Sequence, residues 1–169
     1  MIFMSQSGIT DPARDSDWDR WYTEHLRIMA SVPGISSAQR FKTSTPGHSP
    51  SLAMYSVASP EVFQDPYYLS VRGMGEWLAL IDKRYYHRNL FSGLDQAPVA
   101  TESDVLIVAD RDSPDDTLAA LGCVWLRCSG IDRSTAFRGI AATPRARAES
   151  LGSAKVAIYS PVTGVFKPQ

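Results

Sequence analysis

Three histidines occur in the 169 residues, and one of them, His25, falls on an apolar stripe. Trp18, Trp21, Tyr22, His25, Met29 and Val32 recur at helical spacing, while Asp19, Arg20, Thr23, Glu24 and Arg27 take the opposite side. Leucine would pack better at position 25. An imidazole, whose ordinary pKa lies near neutrality, is suited to moving protons. Two readings stay open on spacing alone. One is a core histidine satisfied by nearby backbone or a tyrosine hydroxyl. The other is a general base or acid at the mouth of a pocket.

Two further residues extend the second reading. Arg40 lies beside Phe41 in a strand-like stretch. If Phe41 faces the helices, alternation sends Arg40 into the interior, where it needs a buried acid or an anionic substrate oxygen. Tyr55, in "SLAMYSVA", has a hydroxyl that can donate to a substrate carbonyl. Together, His25, Tyr55 and Arg40 form the candidate catalytic set. Trp21, Tyr22, Tyr86, Arg88 and Trp77 are the candidate substrate-binding residues. In "RYYHRNLF", alternation places Tyr86 and Arg88 on one face and Tyr85 and His87 on the other. Trp77, beside Leu78 and Ile81, reads first as core.

Other chemistries lack their signatures. There is no Gly-rich phosphate loop, dinucleotide fingerprint, zinc-ligand spacing or Gly-x-Ser-x-Gly elbow. The expectation is therefore a site with no cofactor and no metal. His48 sits in the loop "TPGHSP", and no histidine follows His87. Chemistry is expected in the first half, with the rest as scaffold.

These residues must be positioned by elements, and the chain supplies clear punctuation. A helix is expected from about Ser16 to the stop at Pro33-Gly34. Ser59-Pro60, Asp65-Pro66, Ser113-Pro114 and Thr143-Pro144 each pair a capping side chain with proline, so helices are expected near 60, 66, 114 and 144. Strands are expected at "MIFMS", "ISSAQRFKT", "SLAMYSVA", "RYYHRNLF", "DVLIVAD", "CVWLRC", "TAFRGIAAT" and "KVAIYSP", with helices at "GEWLALIDK", "SPDDTLAALG" and "PRARAESLG". Each half then reads β-α-β-β-α-β. The expected fold is α+β: tandem ferredoxin-like repeats, residues 1–97 and 102–169, packing their sheets into a dimeric α/β-barrel-type fold. A single irregular α+β domain is the alternative.

Composition bounds the partners. A net charge of −1 gives no electrostatic footprint for nucleic acid or an anionic membrane, and no apolar run could span a bilayer. The start "MIFMSQSGITDPARD" does not read as a signal peptide. Cys123 and Cys128, on opposite faces of a strand-like segment, are expected to stay reduced in a cytoplasmic protein. The expected partner is a small-molecule substrate, with a homodimer possible.

"DWDRWYTEHLRIMASVPGISSAQRFK", "PSLAMYSVASPEVFQDPYYL" and "RYYHRNLF" resemble the EthD-like branch of the dimeric α/β-barrel superfamily. The matching positions are Trp21, Tyr22, His25, Pro33, Gly34, Ala38, Arg40, Phe41, Leu52, Ala53 and Tyr55, within about residues 1–92. The resemblance implies a cleft between the first helix and the sheet, lined by a histidine and aromatic residues. It also implies a bacterial, cofactor-independent enzyme moving a proton next to a carbonyl: an isomerase, cyclase or lyase acting on an aromatic or unsaturated metabolite. A cofactor-free monooxygenase and a non-catalytic binding protein are the alternatives.

Overall fold

In the computed structural model, which describes residues 1–148, 151 and 155–168, strands dominate. They are β1 (Ile2–Ser7), β2 (Ile35–Lys42), β3 (Ser51–Val57), β4 (His87–Ser92), β5 (Asp104–Arg111), β6 (Val124–Ile131), β7 (Phe137–Pro144) and β8 (Ala157–Pro161). They close into one barrel in the order β1-β3-β2-β8-β5-β7-β6-β4, with antiparallel pairing throughout.

Period-two patterning produces the closure. Ile2, Met4, Phe41, Leu52, Met54, Phe91, Leu106, Val108, Leu126, Ile140, Ala157 and Tyr159 form a single buried cluster drawn from all eight strands. An eight-stranded barrel has an interior just wide enough for side chains to fill, so this cluster is the lumen. The alternate residues face outward into two separate clusters. Phe3, Ala53, Tyr55 and Leu90 lie under the helices of the first half, and Val105, Ile107 and Ala141 lie on the second.

The expected architecture is corrected here. The molecule is a closed eight-stranded antiparallel β-barrel with few helices, not a pair of ferredoxin-like α+β units. The first four strands form one arc and the last four the other, with the same strand order in each. The arcs are hydrogen-bonded to each other at both seams, β2 to β8 and β4 to β6, so no sheet edge is left open. The helical layers are sparse. Only α1 (Asp15–Ala30) is long; α2 (Pro66–Val71) and α3 (Arg145–Ala148) span six and four residues. Of the expected "SPDDTLAALG" helix, only a 3-10 turn at Ala119–Leu121 forms. Pro144 ends β7 and the expected helix begins at once, as α3 from Arg145, while the later part of "PRARAESLG" lies partly outside the described residues.

α1 is built as its stripe requires. Trp18, Tyr22, Leu26, Met29 and Ala30 are buried against the barrel wall. Asp11 caps the preceding 3-10 turn by accepting from the Ala13 amide at 3.0 Å. Gly34 ends the run with φ +85°, and a Cβ there would lie 2.6 Å from a Val62 methyl. No helix among the described residues is long and apolar enough to cross a membrane.

Candidate functional site

A cavity of about 310 Å³ opens between the outer wall of the first arc, α1 and the segment after α2. Each element contributes by its own periodicity. β1 sends out Phe3 and Ser5, β3 Tyr55 and β4 Arg88; α1 adds Tyr22, His25 and Met29; α2 and the following loop add Tyr68, Arg72, Gly73 and Met74. Asp65 fixes α2 by accepting from the Tyr67 and Tyr68 amides at 2.8 and 3.0 Å.

His25 stacks on Trp21, with ring centroids 4.7 Å apart and an interplanar angle of 11°. It meets Tyr22 edge-on at 6.0 Å. Neither imidazole nitrogen hydrogen-bonds a described residue, and the ring borders the cavity. Burial pushes its pKa down to about 4, so the imidazole is neutral at cellular pH. The reading of a core histidine with both nitrogens satisfied does not describe this environment.

The phenols around it are protonated. Burial raises Tyr55 well above the ordinary tyrosine value, with Tyr22 and Tyr68 nearby adding to the effect. Tyr22 is raised by burial against the opposing pull of Arg40, and Tyr68 by burial against the pull of Arg72 and Arg88. Each therefore keeps its O–H donor, in a residue that lines the cavity.

The structure brings together His25, Tyr55, Tyr22, Tyr86 and Arg88 from the residues singled out by sequence. Three others lie elsewhere. Trp21 supports His25 from behind, and Trp77 is sealed against Trp18, with the Arg14 guanidinium 4.8 Å from its ring centre. Arg40 is corrected in direction. Phe41, not Arg40, faces the barrel lumen, and Arg40 runs outward beneath α1. There it donates to Asp19 Oδ1 at 2.7 Å and to Ser51 Oγ at 3.0 Å, with its guanidinium carbon 4.3 Å from the Tyr22 ring centre. It is an ion-paired floor under Tyr22 rather than a group in the cavity wall.

Sequence reasoning missed Ser5, Tyr68 and Arg72. The available signal for the last two was the capped Asp65-Pro66 start, which places Tyr68 one turn and Arg72 two turns along. Tyr85 and Tyr86 precede β4 rather than opening it.

No family model matches the chain, and no curated protein matches it. The EthD-like resemblance thus rests on the quoted residues alone. Among the described residues, no group of three His, Cys, Asp or Glu side chains is placed to hold a metal ion.

Proposed function

We propose that this protein catalyses proton transfer next to a carbonyl group on a small, ring-bearing or unsaturated molecule bound in the Tyr22–Tyr55–Tyr68 cavity. The observation that carries the reading is His25: a neutral imidazole with no hydrogen-bond partner among the described residues, facing a cavity ringed by protonated phenols.

The chemistry follows from those protonation states. A neutral imidazole accepts a proton from the carbon beside the carbonyl. Electron density moves onto the carbonyl oxygen, where a Tyr55 or Tyr22 hydroxyl donates to the developing negative charge. The enolate then stabilises the imidazolium, which offsets the burial that otherwise keeps His25 neutral. Return of the proton to a different carbon gives isomerisation. The aromatic walls Phe3 and Tyr86 suit a flat substrate, and 310 Å³ fits a small one.

The test is deuterium incorporation from heavy water into a panel of enolisable carbonyl compounds, followed by NMR. His25→Gln and His25→Ala should slow exchange by about 10²–10⁴-fold. A folded His25→Gln protein with undiminished exchange refutes the mechanism. Oxygen consumption during turnover would point to oxidation instead.

A further inference from the structure

We propose that the substrate carries a carboxylate and that Arg88, set in place by Asp132 from the second half of the chain, is its anchor. The inference rests on the reading of the cavity as a small-molecule site. Its evidence is a different set of groups from the one that moves the proton.

Among the described residues no aspartate or glutamate lines the cavity, whereas Arg72 and Arg88 both do. Arg72 makes no ion pair with a described residue. Arg88 has one, and its geometry is informative. Its Nη2 donates to Asp132 Oδ1 at 3.2 Å, while its backbone amide donates to Asp132 Oδ2 at 2.8 Å. Its Nε is buried and has no partner. A guanidinium N–H left without an acceptor is costly, and a second anion beside this guanidinium would offset that cost. The Tyr86 ring lies against the guanidinium, 5.4 Å from ring centre to guanidinium carbon, and fixes its plane.

Asp132 is placed by unusual backbone. It sits in the β6–β7 connection between Ile131 and Arg133, which hold φ of +65° and +50°. Left-handed conformations are unfavourable for side-chain-bearing residues, above all for a β-branched one, and persist where surrounding contacts enforce them. Here the contacts are at hand. The Asp132 amide donates to Arg88 O at 2.9 Å, and Ser134 and Asn89 exchange two hydrogen bonds at 2.8 and 2.9 Å. Asp132 is a positioning residue: it accepts from Nη2 and leaves Nη1 without a hydrogen-bond partner among the described residues. A carboxylate seated on Arg88 and Arg72 would leave the rest of a 2-oxo or unsaturated acid in the cavity that His25 and the phenols also line.

The experiment compares benzoate, cinnamate and phenylpyruvate with their amides, by calorimetry and by tryptophan fluorescence, on the full chain. At least one carboxylate should bind wild type more tightly than its amide. Arg88→Gln should weaken that carboxylate by about 10- to 100-fold and leave the amide unchanged. Asp132→Asn should act in the same direction and more weakly, again on the carboxylate alone. Arg88→Lys, which keeps the charge but not the planar fork, should recover only part of the preference. Equal binding of acids and amides by wild type overturns the proposal, as does an acid preference that survives Arg88→Gln. His25→Gln separates the two readings. Carboxylate preference in that variant with no proton exchange in wild type would uphold the anchor and sink the proton transfer; exchange on neutral ketones without acid preference would do the reverse.

Discussion

Replacing His25 by leucine should make the protein less sensitive to acid, and the size of the effect can be worked out. The folded imidazole titrates near pH 4, the unfolded one near 6.5. Below pH 6.5 the unfolded chain therefore binds more protons at this site than the folded one, so protonation favours unfolding. Stability from this group is complete above pH 6.5 and is lost as pH falls toward 4. At pH 5 the unfolded imidazole is almost fully protonated and the folded one about one-tenth so, which gives a loss of about 2 kcal/mol relative to pH 8. The limit at lower pH is about 3.4 kcal/mol, from 1.36 kcal/mol for each tenfold step between 6.5 and 4. Leucine packs on the same stripe and carries no titrating group. Paired urea unfolding curves of wild type and His25→Leu at pH 8, 6 and 5 isolate the term, because other titrations are common to both proteins. The gap between the two should widen by about 2 kcal/mol in favour of leucine on going to pH 5. A gap that stays constant would mean that the imidazole is not held neutral by burial, and the protonation state assumed for the base would be wrong.

Two other perturbations test the frame around the site. Asp19→Ala leaves the Arg40 guanidinium buried beneath Tyr22 without its carboxylate, and urea unfolding should register a loss of about 2 kcal/mol, less than for a fully buried pair because Asp19 is partly in water. Gly34→Ala combines a φ of +85° with a methyl 2.6 Å from Val62, so thermal unfolding should move down by about 3–10 °C, following a strain of about 1–3 kcal/mol.

The strands and α1 were readable from sequence because each has its own strong local period. The fate of "SPDDTLAALG" was not. A capping residue followed by proline licenses a helix start, but continuation needs an apolar stripe, and around Ala119–Leu121 there is too little of one. Alternation sorted the residues of β2 into two faces, but it could not say which face met the helices. Arg40 went the other way because Asp19, assigned to the polar side of α1, leans over it as a partner. Tyr68 and Arg72 escaped because the capped start at Asp65-Pro66 predicts a helix but not what that helix packs against, and here it walls the cavity. His25, Tyr22 and Tyr55, which line the cavity, stood out because a polar tip on an apolar face is visible in the sequence itself.

The cavity lies outside a barrel whose lumen is filled by side chains, and this divides labour along single strands. On β1, Ile2 and Met4 hold the barrel shut while Phe3 and Ser5 line the outer cavity; on β3, Leu52 and Met54 do the first task and Tyr55 the second. Neighbouring letters of the sequence thus answer to different demands, closure of the barrel and the shape of the cavity. The cavity wall can be rewritten at alternate positions while the interlocking lumen stays as it is, so the shape of the cavity and the closure of the barrel are separable on this scaffold.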